Sequence, residues 1–342
     1  RRRHPSGGPT RRARVPAGLM PSRLLRKKAS VLVLGAGSIG SRHARNLHAA
    51  GADVSLADPS PARAKAVRHA RTVPFDLDHL SGYDGVVVAS PTSAHLEQAL
   101  AALDTGAKVL IEKPIHLTLA GTEALLPDSD RVMVGFNLRF HPPVQRIMEL
   151  AHAGRAGRIT AVRAWFGSYL PDWRPTVDYR ESYSARSELG GGVLLDAIHE
   201  LDLLVWLLGG RFSVLGAEVA RLGDLDIDVE DTVKTLLHHE SGALAEVSLD
   251  YLSRRYRRGI EVIGTEATLR LDWAREVIEV ERDGDAEVEP AIDSVACSYE
   301  RQSECFLAWL RDEATPPVDA TEAVAPLRLA DQIRAAAARR RK

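Results

Sequence analysis

The sequence predicts an α/β protein in two parts: a doubly wound parallel sheet, then an α+β unit built on a large, mostly antiparallel open sheet. Three observations carry this. Short apolar runs alternate with helical stretches between residues 31 and 135, as in a parallel sheet covered on both faces. From residue 159 onward, strand-like segments follow one another with little helix between them. The length, 342 residues, exceeds the roughly 100 to 200 residues of one ordinary domain.

Taken in order, the apolar run Val31-Leu32-Val33-Leu34 is a strand that ends at Gly35, followed by an Ala-rich helix from Ser41 to Ala50 and a break at Gly51. Val54 to Ala57, Gly85 to Ala89, Lys108 to Ile111 and Val132 to Gly135 are the next strands, with helices from Pro61 to His69 and from His95 to Leu103. Past Pro142 comes one helix, Val144 to His152. Alternating or β-branched strands then run from Ile159 to Phe166, Val214 to Arg221, Thr232 to His238, Ala243 to Tyr251, Ile260 to Gly264, Thr268 to Trp273 and Val277 to Glu281. A long apolar helix from about Gly192 to Leu208 interrupts them, and helices from about Tyr299 to Asp312 and Thr321 to Arg339 close the chain. The expected organisation is a basic tail over 1–29, a dinucleotide-binding domain over 30–141, and a substrate-binding and oligomerisation domain over 142–342.

Composition narrows the function classes. Hydrophobic residues at 45% and charged residues at 27% suit a packed globular chain rather than a disordered, collagenous or coiled-coil one. Residues 1 to 30 hold eight Arg, two Lys and no acid, so the remainder has 35 basic against 46 acidic residues beneath a formal net charge of −1. An acidic body argues against nucleic acid or membrane partners. The first 29 residues, rich in Arg, Pro, Gly and Ser, are expected to be disordered, with Met20 as an alternative start. Neither a membrane span nor an export signal is evident, so the expected location is cytoplasmic. Cys297 and Cys305 stand eight residues apart in a helical segment, roughly 12 Å along its axis, too far to bridge. Neither has metal-ligand spacing, so no metal site is expected.

The chemistry concentrates in four places. Gly35-Ala36-Gly37-Ser38-Ile39-Gly40 is a G-x-G-x-x-G turn between a strand and a helix, where glycines allow close approach to a pyrophosphate and the helix N-terminus offers free N–H groups. Asp58, eighteen residues after Gly40, stands where a carboxylate accepts from adenosine ribose hydroxyls. No Arg immediately follows it, although Arg63 is near, so NAD is favoured over NADP. Ser90, Pro91, Thr92 and His95 in the loop after the third strand, and Glu112 and Lys113 at the end of the fourth, lie where open α/β sheets bind ligands. Two readings stand for each of Lys113 and His95: a cofactor-facing group, or a solvated strand-end charge and a helix cap respectively. On the helix after Gly190-Gly191-Gly192, apolar residues cover every face, so Asp196 and His199 are expected to be buried side by side at i and i+3. A carboxylate beside an imidazole fixes its tautomer and raises its basicity for proton transfer. A satisfied core histidine is the alternative, and Glu200 and Asp202 suit either surface charge or inter-domain hydrogen bonding.

On these residues the chain resembles the Gfo/Idh/MocA oxidoreductase family, which includes glucose-fructose oxidoreductase and inositol dehydrogenases. The likeness runs from about Ser30 to about Ala335. It rests on the glycine turn, Glu112-Lys113-Pro114, the Gly135 to Pro142 junction with Asn137 and Arg139, and the glycine triplet leading to Asp196 and His199. The resemblance implies a Rossmann domain that binds NAD. It also implies that Lys113 and His199 assist hydride transfer between nicotinamide and a sugar or polyol carbon, with Asp196 tuning His199. One departure is that many members place the Asp four residues before the His, not three. The family also implies a homodimer or homotetramer formed through the second sheet.

Between Trp165 and Gly190, residues such as Trp173, Arg174 and Tyr183 suit a polyhydroxylated or anionic ligand, by ring stacking and charge-assisted hydrogen bonds, or an oligomer contact. Asn137, Arg139, Trp173, Arg174 and Tyr183 are therefore the expected substrate-binding residues. The Tyr-Ser-Ala-Arg and Glu-Leu-Gly-Gly-Gly stretch resembles members associated with bacterial surface-polysaccharide sugars. The expected activity is an NAD(P)-dependent oxidoreductase acting on a secondary alcohol or ketone of a sugar, sugar nucleotide or polyol. An inositol-type dehydrogenase and a non-catalytic NAD-binding regulator are the alternatives.

Overall fold

The computed structural model describes residues 28–173 and 177–340. The expected tail, apart from its last two residues, and Arg174 lie outside the described residues. The first sheet has six parallel strands: β1 (Ser30–Leu34), β2 (Asp53–Ala57), β3 (Arg71–Thr72), β4 (Gly85–Val88), β5 (Lys108–Glu112) and β6 (Val132–Gly135), ordered β3-β2-β1-β4-β5-β6. Its strands are apolar on both faces because helices α1 (Ser38–Ala49), α2 (Pro61–Ala66) and α3 (His95–Asp104) pack on it. Strand order reverses between β1 and β4, and the crevice at such a switch point is where this architecture binds ligands. The sequence pattern misses β3, whose two residues are too few to show a period.

After α4 (Pro142–His152) and β7 (Ile159–Gly167), the chain forms α5 (Val193–Asp196) and α6 (His199–Leu208). Strands β8 (Phe212–Ala220), β9 (Thr232–His239), β10 (Leu244–Asp250), β11 (Arg257–Gly264), β12 (Thr268–Asp272), β13 (Val277–Arg282) and β14 (Asp285–Pro290) follow. The second sheet runs β14-β13-β12-β11-β7-β10-β9-β8, and every pairing is antiparallel except β7 with β10. Strict alternation shows in β9, where Val233 and Leu237 are buried while Lys234, Leu236 and His238 face outward. β14 escaped the sequence pattern because nearly all its residues are exposed, leaving no apolar period to read.

One expectation is corrected. The helix expected from Gly192 to Leu208 is two helices: α5 stops at Asp196, and Ala197 (φ −98°, ψ 31°) departs from helical geometry before α6 begins at His199. The domain boundary is not a clean cut. Helix α7 (Val295–Leu310) returns to the first sheet, placing Phe306, Leu307 and Trp309 in one core with Val31, Val33, Leu110 and Met133. Helix α8 (Ala320–Arg340) packs against β8 and α6 and also touches β6 of the first sheet, with Asp331 accepting from Leu119 N at 2.9 Å and Arg334 donating to Leu117 O at 3.1 Å. Among the described residues no helix is long and apolar enough to cross a membrane.

Candidate active site

The glycine turn has the geometry its spacing predicts. Gly35 has φ +104°, and a Cβ there would lie 2.6 Å from Ala89 O; one on Gly40 would lie 1.9 Å from Gly35 O. Those two glycines let the strand, the turn and α1 close together. Gly37 differs: a Cβ on it would meet nothing within 4 Å, and it and Ser38 are exposed while Ile39 is half-buried. Gly37 is also the N-cap of α1 and supplies no side-chain cap. The first N–H groups of α1 therefore face open space, a seat that fits a pyrophosphate.

Asp58 follows β2 and is buried. Its Oδ2 accepts from Ala36 N at 2.8 Å, tying it to the glycine turn, and its Oδ1 accepts from Ser60 N at 2.8 Å and from Arg63 Nε and Nη2 at 3.2 and 3.0 Å. Arg63, only near in sequence, is in contact here because the first turn of α2 swings it back.

His95 has a role that sequence does not show. It is neither a helix cap, since Ala94 holds that position, nor an exposed cofactor contact, since it is 1% exposed. Its Nε2 lies 3.0 Å from Ser90 O and its Nδ1 2.9 Å from Pro114 O, so one imidazole ties together the loops after β4 and β5. Both partners are acceptors, and burial pushes the ring below its usual pKa, so the neutral form donates to one of them at a time. Thr92 is buried against Gly190, where a Cβ would come within 2.8 Å of the threonine Cβ. Pro91 is exposed, and Ser90 Oγ donates to Gln98.

Lys113 is half-buried at the end of β5, and its Nζ donates to the backbone oxygen of Asp196 at 2.7 Å, bringing the two sheets together at one point. The glycine triplet makes room for this. Gly190 (φ +89°) and Gly192 (φ +104°) adopt left-handed conformations, and a Cβ on Gly191 would lie 2.4 Å from Tyr183 O.

Asp196 does not engage His199. The helix break removes the i, i+3 relation, and the carboxylate turns toward two phenols: Tyr183 OH donates to Oδ1, and Tyr251 OH donates to Oδ2 at 2.6 Å. His199, 6% exposed, packs edge-on against Phe136 with ring centroids 5.7 Å apart, and its Nδ1 is buried without a hydrogen-bond partner. Burial, with the charges of Lys113 and Arg258 adding, holds this imidazole well below its usual pKa. It is neutral near pH 7, with burial and the neighbouring charges opposing its protonation.

Glu200 and Asp202 are both buried ion-pair members. Arg258 donates to Glu200 at 2.6 and 3.1 Å, and Arg139 to Asp202 at 2.8 and 3.1 Å. Arg139, expected as a substrate contact, is engaged in this tie, its guanidinium also lying 5.1 Å from the centre of the Trp206 ring. Asn137, expected as another substrate contact, is 2% exposed and its Nδ2 donates to Ser298 Oγ at 2.7 Å. Glu112 pairs with His43, with Nε2 to Oε1 at 2.6 Å. Trp173 and Tyr183 do come to the site. Trp173 is half-buried and edge-on to Tyr251, with centroids 5.3 Å apart. Tyr251 itself was not singled out, because a strand-end tyrosine carries no local sign of the aspartate 55 residues away. A cavity of about 470 Å³ beside the glycine triplet, lined by Gly190, Gly191, Leu195, Glu230 and Arg334 among others, includes neither Lys113 nor His199.

Comparison with known proteins agrees with this geometry. Residues 29–132 match the oxidoreductase family described as NAD-binding Rossmann fold, and residues 144–270 match the GFO/IDH/MocA C-terminal domain. An inositol 2-dehydrogenase of Rhizobium meliloti (strain 1021) is 30% identical over 324 residues, covering 87% of this chain and 94% of that protein. A myo-inositol 2-dehydrogenase of Thermotoga maritima is 28% identical, covering 74% of this chain and 78% of the other. A solved levoglucosan dehydrogenase in complex with NADH superposes with a TM-score of 0.79 at 21% identity, over 92% of this chain and 98% of that one, a likeness of fold.

Proposed function

Because the chain belongs to the GFO/IDH/MocA family of NAD-binding oxidoreductases, we propose that it is an NAD-dependent dehydrogenase acting on a secondary alcohol or ketone of a sugar, sugar nucleotide or polyol. The observation that carries this reading is the meeting of Lys113 with the Asp196–His199 segment, across the two sheets and beside the crevice of the first. NAD, when bound, supplies the hydride acceptor.

The chain's own residues supply the rest. Lys113 has an ammonium whose donors orient and polarise a substrate oxygen at this junction. His199, neutral through burial, takes the hydroxyl proton as the carbon–hydrogen bond breaks, and returns it when a carbonyl is reduced. Asp196, held by Tyr183 and Tyr251, keeps the backbone oxygen that Lys113 uses in place and offers a carboxylate to sugar hydroxyls. Trp173, packed edge-on to Tyr251, adds an aromatic ring beside Asp196.

The Rhizobium and Thermotoga relatives, named for inositol, favour a free polyol as a second reading of the substrate. A homodimer or homotetramer is supported by the outward face of the second sheet, where Leu236 on β9 and Leu244 on β10 are 42% and 41% exposed. The proposed place of action is the cytoplasm.

The deciding experiment follows NADH absorbance with myo-inositol, free sugars and sugar nucleotides. Lys113→Ala and His199→Ala should each lower kcat by roughly 10²-fold or more, while NAD affinity stays near wild type. NAD binding without turnover on any of these substrates would favour the non-catalytic regulator.

A further inference from the structure

The pair formed by His43 and Glu112 lies outside the chemistry proposed above, and its placement is specific. Both residues are buried, at 1% and 6% exposure. Glu112 ends β5 and immediately precedes Lys113; its Oε1 accepts from His43 Nε2 at 2.6 Å, and its Oε2 accepts from Lys113 N at 3.2 Å. One carboxylate therefore bridges α1 and the first residue beyond the strand. There is no slack around it. A Cβ on Gly135 of β6 would lie 3.0 Å from the Glu112 carboxylate, Tyr299 of α7 stands edge-on to His43 with centroids 6.3 Å apart, and Arg42 lies 4.5 Å from the centre of the Tyr299 ring.

A helix packed on a sheet needs no acid at this depth; an apolar pair of the same volume holds helix to strand without removing charge from water. The acid and imidazole stand at the strand end that carries Lys113, and on the helix whose first turn is open for a pyrophosphate. We propose that His43 and Glu112 are a positioning pair, which fixes where Lys113 emerges from β5 and couples that position to occupancy of the dinucleotide seat on α1. Neither residue touches substrate or cofactor; each acts through the Lys113 backbone. The proposal rests on the dinucleotide site and on the role of Lys113 given above.

The test reads Lys113 directly and needs no substrate. The chain has seven lysines, Lys27, Lys28, Lys65, Lys108, Lys113, Lys234 and Lys342, few enough for ¹³C-dimethyl-lysine NMR to resolve Lys113, assigned by its loss in Lys113→Arg. In the wild type, NAD should shift the Lys113 signal. In His43→Leu and Glu112→Gln the unliganded signal should move toward those of exposed lysines and the NAD-induced shift should fall by at least half. His43→Gln, which keeps a donor near the Nε2 position, should restore both. A Lys113 signal and NAD response unchanged in His43→Leu and Glu112→Gln would overturn the proposal, reducing the pair to a brace of the fold. Should His43→Leu fail to fold, Glu112→Gln, which keeps the size of the side chain, decides alone. Wild-type protein that binds NAD by calorimetry with an unmoved Lys113 signal refutes the coupling only. Wild-type protein that binds no NAD at all removes the dinucleotide reading, and this proposal with it.

Discussion

Tyr251→Phe removes one oxygen from the centre of the site. The phenol donates to Asp196 Oδ2 at 2.6 Å, and Tyr251 is 0% exposed, so water has no direct route to replace it. Its ring stays where Trp173 packs edge-on, so the change deletes a hydrogen bond without opening a cavity larger than the hydroxyl. Hydrogen bonds to charged groups contribute about 1.5–3 kcal/mol, and the loss should approach the upper part of that range because a buried carboxylate oxygen is left without its donor. Tyr183→Phe removes the donor to Oδ1 from a half-buried position that water reaches more easily, and should destabilise less. Urea titration of wild type and both variants, with a constant m-value, measures the difference. In turnover, Tyr251→Phe should lower kcat more than it changes NAD affinity, because the loosened Asp196 carries the backbone oxygen bound by Lys113. Equal small effects of the two substitutions, below about 0.5 kcal/mol, would refute the claim that the phenols hold the aspartate.

Three further outcomes follow from the same contacts. Asp202→Asn leaves buried Arg139 with Glu322, 3.7 Å away and half-exposed, as its remaining carboxylate partner, and should cost somewhat less than the about 3–5 kcal/mol of a fully broken buried pair in chemical denaturation, with NAD affinity by calorimetry unchanged. His199 is held neutral by burial, so its folded pKa lies below the unfolded one. The unfolded chain then binds the extra proton as pH falls below about 6.5; stability should drop on that side, and His199→Asn should flatten the slope in melting curves taken from pH 7.5 to 5. Asp58 favours a ribose hydroxyl over a 2′-phosphate, so wild-type protein should bind NAD more tightly than NADP. Asp58→Ala, which releases Arg63 from its partner, should narrow or reverse that order in calorimetric titrations.

Much of this protein was legible in its residues. Local signals reach across a few positions, and the first sheet is written in them: apolar runs of four or five, glycines at fixed offsets, and Asp58 closing the second strand. The glycine turn could be assigned because its requirement, backbone without Cβ at Gly35 and Gly40, is satisfied within one turn of chain. β9 was visible as a strand, although its faces were not: Thr235 is buried and Leu236 exposed. His199 drew notice because an imidazole in an apolar helix is expensive to leave unexplained, whereas Lys113, readable as a solvated strand-end charge, took its expected role from the family resemblance.

Tertiary structure decided what those groups touch. Spacing placed Asp196 against His199 on one helix face, but the break at Ala197 gave the carboxylate to Tyr183 and Tyr251, and left His199 to Lys113, Arg258 and Phe136. Arg139 and Asn137 read as ligand groups in sequence, which has no sign of the partners, Asp202 and Ser298, that distant segments bring to them. Helix α7, assigned by order to the second unit, crosses back to complete the first core. The physical reason is common to all three. A side chain's type and local period set what it needs, a donor, an acceptor or an apolar wall, but several residues in any chain can meet each need. Which of them does so is chosen by the packing of elements far apart in sequence, at no position where the sequence itself records the choice.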